Sequence, residues 1–219
     1  MALTASRPDR IAAGAKALGV DLNEDQVAML HRYLDLLEKW NAAYNLTAVR
    51  GRAAMEVEHI LDSLAIVPHI TAGPVLDVGT GGGLPGMVLA IARPELEYLL
   101  VDSNGKKTRF LKQAVHELGL RNVDVQQARI EELALDTPPA TVVSRAFASL
   151  PDMVQGCRAA LEQGARLVAM KGVRPDDEIA ALPADVAVTQ VVSLAVPGLD
   201  KERHLVCIVR RDAAQPGTD

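Results

Sequence analysis

From Val75 to Gly86 the chain reads VLDVGTGGGLPG, with glycines at 79, 81, 82, 83 and 86 directly behind a branched apolar run. The run at 75–78 has the length and composition of a buried strand, and a helix is expected from about Pro85 to Ala92. Bare backbone at a strand-to-helix turn permits a tight bend and lets a ligand approach main-chain N–H groups. An ordinary glycine-rich turn is the plainer alternative, and the flanking sequence speaks against it. After the loop, short apolar runs alternate with helical stretches: LEYLLVD, a helix from about Gly105 to Leu118, VDVQQA, TVVSRA, a helix from about Leu150 to Leu161, and ARLVAMKG. That alternation predicts an α/β, Rossmann-like fold with a mainly parallel, doubly wound sheet. The last two strand-like runs, VAVTQVVSLAVP and ERHLVCIVRR, are joined by too few residues for a crossover helix. The sheet should therefore end in an antiparallel C-terminal strand pair.

The first third is different. Val27, Leu30, Leu34, Leu37 and Trp40 recur at helical spacing from Asn23 to about Ala43, with Asn23 and Gln26 set as a capping box. Ile60, Leu61, Leu64 and Val67 mark a second helix over 55–67. The expected organisation is an N-terminal helical extension at 1–70, a ligand-binding α/β domain at 71–212, and a disordered tail at 213–219.

A chain of 219 residues with 49% hydrophobic content can fill one large core, or a medium one with an appendage. Its net charge of −5 advertises neither nucleic acid nor an anionic membrane, so any basic footprint must be local. Cys157 and Cys207 form no C-x-x-C pair; they suit a reducing compartment and read as buried small hydrophobes, and no metal is expected. The chain start lacks a signal-peptide apolar stretch, and nothing approaches the roughly 20 apolar residues of a membrane span. A cytoplasmic protein without membrane contact is expected.

Two ligand classes compete for the loop. Gly81-x-Gly83-x-x-Gly86 satisfies a dinucleotide fingerprint, while Asp77-x-Gly79-x-Gly81-x-Gly83 satisfies the acid-first pattern of S-adenosylmethionine methyltransferases. Asp102, ending the second strand, serves both, because its carboxylate can accept from ribose hydroxyls; Ser103 follows it. A helix-cap role for Asp102 is the bland reading. By fold analogy, an antiparallel pair closing a parallel sheet is the methyltransferase variant, and helical N-terminal additions often bind substrate.

The strings YNLTAVR, HILDSL, LDVGTGGGLPG, VDSNGKKTRFL, VSRAFASL, MKG and VPGLDKERHLV occur in the order and at the approximate spacing found in the ribosomal RNA small subunit methyltransferase G family, once called glucose-inhibited division protein B. The chain resembles that family from about Leu22 to Val209. The resemblance implies transfer of a methyl group from S-adenosyl-L-methionine to N7 of one guanine in bacterial 16S rRNA near the decoding region. It also implies cofactor contacts at the positions of Gly79, Leu84, Ile130, Glu131 and Arg145. Plainer roles remain for the last three: a core isoleucine, a helix-start acid and a structural ion pair.

The chemistry agrees with that implication. Methyl transfer is an in-line displacement, so alignment and water removal are the main tasks. Guanine N7 carries an in-plane lone pair and no proton, so no general base is expected. The place after the fourth strand reads SRAF, without the Asn/Asp-Pro-Pro-aromatic motif used on exocyclic amines, and neither cysteine is placed for a nucleophile. Arg145 is the foremost candidate for aiming the base, through guanine O6 or a flanking phosphate. Candidate RNA contacts are Arg50, Lys106, Arg109, Arg129, Lys171 and Arg203. With six aromatic residues in all, extensive base stacking is not expected. His59 reads as a buried, hydrogen-bonded helix histidine. The partner expected is 16S rRNA or the 30S subunit, bound by a monomer. An NAD(P)-dependent oxidoreductase is one alternative, disfavoured because no Tyr-x-x-x-Lys relay accompanies the glycine loop; a non-catalytic nucleotide-binding regulator is the other.

Overall fold

The computed structural model describes residues 9–133, 137–145, 147 and 149–211; the tail expected at 213–219 lies outside them. Among the described residues, the strands are β1 (Val75–Val78), β2 (Tyr98–Asp102), β3 (Val123–Gln127), β4 (Thr141–Ser144), β5 (Arg166–Lys171), β6 (Val186–Ser193) and β7 (His204–Arg210). They form one sheet in the order β3-β2-β1-β4-β5-β7-β6. β1 to β5 pair in parallel, whereas β7 runs antiparallel to both β5 and β6. Strand order reverses between β1 and β4, the switch point where ligands bind beyond the carboxyl ends of such sheets.

The N-terminal helices are α1 (Arg10–Ala17) and α2 (Glu24–Tyr44), followed by α3 (Arg52–Met55), a π-helical turn (Glu56–Leu61) and α4 (Asp62–Leu64). The capping box at α2 is formed: the Asn23 side chain accepts from the Gln26 amide at 2.8 Å, and Gln26 Oε1 accepts from the Asn23 amide at 2.9 Å. Gln26 also donates to the Ile91 carbonyl, 2.9 Å away, anchoring α2 to the end of α5 (Gly86–Ala92). The single helix expected over 55–67 begins at Arg52 and is interrupted by the π turn.

α6 (Gly105–Leu118) has the predicted bounds, with Asn104 capping its start and left-handed Gly119 its end. The helix expected over 150–161 is instead two, α7 (Leu150–Gly156) and α8 (Arg158–Glu162). Gly156 explains the break: it is a poor helix former, and a Cβ there would lie 3.2 Å from Ile130 Cγ2. α1 and α9 (Asp176–Ala180) were not anticipated.

Two apolar layers flank the sheet. One joins α1, α2 and the 52–67 segment to α5 and α6, so the N-terminal helices share a core with one sheet face. The other packs α7 and α8 against the opposite face. Tyr33, Trp40 and Phe110 cluster between α2 and α6, with ring centroids 6.5 Å apart for Tyr33–Phe110 and 5.7 Å for Trp40–Phe110. These aromatics serve the core. Cys157 and Cys207 are both buried and free. Among the described residues, no helix is long and apolar enough to cross a membrane, and no cluster of metal-ligating side chains forms.

Candidate active site

Along β1, Leu76 and Val78 face the α7–α8 layer while Val75 faces the other. Asp77 takes an apolar position on that second face and is fully buried. Its Oδ2 accepts from Thr80 Oγ1 at 2.6 Å and from the Gly86 amide at 2.7 Å, tying the start of the glycine loop to its last residue. Burial pushes the Asp77 carboxyl up to about 6, against the lowering pull of those two hydrogen bonds. Gly83 closes the loop at φ +97°, where an added Cβ would fall 2.4 Å from Met87 Cγ and 2.7 Å from Leu111 Cδ2. From above, buried Tyr33 on α2 donates its hydroxyl to the Gly82 carbonyl at 2.5 Å.

Beyond the carboxyl ends of β1, β2 and β3 the loop borders a pocket of about 330 Å³. Gly79, Asp102, Ser103, Arg129, Ile130 and Glu131 all line it, as do Val78 and Lys107. Asp102 accepts from the Asn104 amide (2.8 Å, Oδ1) and the Gly81 amide (2.9 Å, Oδ2), and Lys107 Nζ sits 3.6 Å from Oδ2. Gly81 therefore spends its N–H on Asp102 and acts by fixing that carboxylate. Gly83 and Leu84 are packed into the core beneath the loop, Leu84 at 4% exposure, and do not line the pocket.

Arg145 lies elsewhere. It lines a second pocket, also about 330 Å³, beside the ends of β4 and β5 with Thr47, His59, Asp62, Lys171 and Arg203. Arg145 Nη1 donates to the Glu58 carbonyl at 3.0 Å and lies 3.4 Å from Asp62 Oδ2, while Arg203 Nε donates to Asp62 Oδ1 at 2.8 Å. Lys171 pairs with Glu178 at 2.8 Å. His59 is buried, as expected, with Nε2 2.9 Å from Thr47 Oγ1. Burial, with Arg145 nearby, holds its imidazole down at about 4, so it is neutral at ordinary pH.

The remaining cations scatter. Arg50 is exposed and bonds the turn it follows, through the Thr47 carbonyl and Asn45 Oδ1. Lys106 and Arg109 stand exposed on α6, outside both pockets. Sequence reasoning missed Thr47, Glu58, Asp62 and Lys107 as pocket groups. Thr47 and Asp62 stand inside the strings YNLTAVR and HILDSL, and that was their only signal.

A family model described as rRNA small subunit methyltransferase G matches residues 26–206. The ribosomal RNA small subunit methyltransferase G of Hahella chejuensis is 49% identical over 210 residues, covering 96% of this chain and 97% of its own. Its namesake from Yersinia enterocolitica is 52% identical over 194 residues, covering 88% and 94%. Among solved structures, a protein of the NADB-Rossmann superfamily from Streptococcus agalactiae superposes with a TM-score of 0.58 at 15% identity, covering 71% of this chain and 70% of that one. A SAM-dependent methyltransferase from Aquifex aeolicus gives 0.52 at 17% identity, covering 68% and 90%. At such identities these two likenesses speak for the Rossmann-like fold alone.

Proposed function

The chain belongs to the rRNA small subunit methyltransferase G family, and from that membership we propose that it transfers a methyl group from S-adenosyl-L-methionine to N7 of one guanine of bacterial 16S rRNA, guanine-527 in the usual numbering. The observation that carries the reading is the pair of pockets at one sheet edge: Asp102 and Glu131 with apolar Val78 and Ile130, rimmed by Lys107 and Arg129, in the first, and Arg145, Lys171 and Arg203 with Asp62 in the second.

The first pocket fits the cofactor's chemistry. Asp102 offers carboxylate oxygens to ribose hydroxyls, Ile130 and Val78 offer apolar surface to adenine, and Gly79, Ser103 and Glu131 complete the lining. Gly81, Gly83 and Leu84 act from beneath by shaping the loop. When bound, the cofactor supplies a methyl group activated on sulfonium sulfur.

In the second pocket Arg145 holds guanine O6 or a flanking phosphate and so aims N7. N7 has no proton to lose, so the chain needs no base, and neutral His59 serves as a packed wall. Lys171 and Arg203 in this pocket, Arg129 at the first, and Arg50, Lys106 and Arg109 outside them supply the local positive rim for RNA, making binding steeply salt-dependent. The N-terminal extension, expected at 1–70, contributes Thr47, His59 and Asp62 to the second pocket, and 71–212 serves as the cofactor domain. The same reading takes a cytoplasmic monomer acting on the 30S subunit.

The test is methyl transfer from labelled S-adenosylmethionine to 16S rRNA, naked and as 30S subunits from cells lacking the enzyme, with the product nucleoside identified by mass. Label in 7-methylguanosine at a single site, lost in Arg145→Ala, is expected. Failure to bind S-adenosylmethionine would overturn the reading.

A further inference from the structure

Asp62 is 1% exposed, too deeply set to offer an oxygen to a substrate, yet both of its oxygens meet cations of the second pocket. Oδ1 takes Arg203 Nε at 2.8 Å and Oδ2 faces Arg145 Nη1 at 3.4 Å. The two arginines reach it from far apart in the chain, one just past β4 and the other just before β7, and their side chains stay 28% and 19% exposed. Arg145 Nη1 also donates to the Glu58 carbonyl, so both anchors of this guanidinium lie within one turn of the 56–62 segment. A guanidinium is planar, and two bonds from one nitrogen fix the direction of its fork. Without the carboxylate, two half-buried positive groups would repel and swing apart.

We propose that Asp62 is a positioning residue for methyl transfer: it sets Arg145 and Arg203 in one arrangement over the second pocket, so that the N-terminal extension determines where the substrate is aimed. The inference rests on the reading of Arg145 given above. It assigns to the extension a part in the chemical step, beyond lining the second pocket.

The test compares wild type, Asp62→Asn, Asp62→Glu, Arg145→Ala and the Asp62→Asn/Arg145→Ala double variant, using 30S subunits as substrate. S-adenosylmethionine affinity and the melting temperature are measured beside kcat and KM. Asp62→Asn should bind cofactor like wild type and lose about 10- to 100-fold in kcat, with KM little changed, because misaimed groups cost rate more than binding. Asp62→Glu, which keeps the charge one methylene away, should fall between the two even if the amide variant folds poorly. In the Arg145→Ala background, Asp62→Asn should cost clearly less than it does in wild type, since only its hold on Arg203 is left to lose. A purely structural role would instead lower the melting temperature and leave kcat per folded molecule intact. Wild-type kcat in folded Asp62→Asn beside an inactive Arg145→Ala overturns the proposal alone, as do additive losses in the double variant. Full activity in Arg145→Ala removes the arginine's role and the proposal with it.

Discussion

The two pockets share a sheet edge and are built in opposite ways. In the first, polar groups are fixed by the main chain: Asp102 is held by two amides, and the loop beneath it by the Asp77–Gly86 bond. In the second, side chains do most of the holding: Asp62, Arg145 and Arg203 come from three distant segments, and one main-chain carbonyl, that of Glu58, helps to hold Arg145. Backbone fixing is cheap to specify because two successive strand-to-helix turns, after β1 and after β2, contain all its parts. Side-chain fixing needs the whole fold in place first, and in return it sets charge where bare backbone cannot.

If that division holds, damage to one pocket should leave the other working. The largest effect should come from Arg145→Ala, which is expected to lose about 10²- to 10³-fold in transfer, or about 3 to 4 kcal/mol of barrier, with S-adenosylmethionine affinity unchanged by calorimetry. Gly83→Ala should do the reverse. A Cβ 2.4 Å from Met87 at positive φ should cost about 3 kcal/mol in denaturant melts and abolish cofactor binding.

Acid should separate the pockets next. Between about 6.5 and 4 an unfolded chain protonates His59 while the folded one does not, so this group lowers stability as pH falls, by about 2 to 3 kcal/mol over the window. Asp77 has the opposite sign: folded, it keeps its proton up to about 6, so its burial costs stability as pH rises from 3.8 to 6. Urea melts across that range should show a shallower acid decline for His59→Gln. Relative to wild type, Asp77→Asn should gain stability as pH rises. Parallel profiles for all three proteins would contradict both assignments.

Tyr33→Phe asks how separate the first pocket is from the extension. Loss of the hydroxyl leaves the Gly82 carbonyl unpaired and should cost about 1 to 2 kcal/mol, with weaker cofactor binding. An unchanged cofactor affinity would make the first pocket self-sufficient. The smallest effect is expected from Lys106→Ala and Arg109→Ala, exposed and outside both pockets: each should lower the salt dependence of 30S binding by at most about one unit of slope and leave kcat alone.

The same division explains what could be read in advance. The strand–loop–helix run at 75–92, the acid ending β2 and the bounds of α6 were legible because local spacing and caps encode them. The antiparallel tail was legible from the shortness of its connection. The burial of Leu84 beneath the loop is not legible, because a loop position in sequence says nothing of which way its side chain packs. α1 escaped because RIAAGAKA offers little apolar periodicity, with Ile11 as its only large buried residue. Asp62 was invisible for a deeper reason: its partners are 83 and 141 positions away, and no local pattern marks a carboxylate that will be buried between two arginines.

The π turn at 56–61 acts as a phase shift. An α-helix advances about 100° per residue, so one additional residue in a turn rotates everything after it by that angle relative to an uninterrupted helix. Asp62 is the first residue to feel the whole rotation. Deleting one residue within the turn would restore a regular helix and carry the carboxylate round toward another neighbour, while composition and hydrophobicity stayed almost the same. The orientation of the arginine pair is thus stored as a residue count, a quantity that insertions and deletions can change and substitutions cannot.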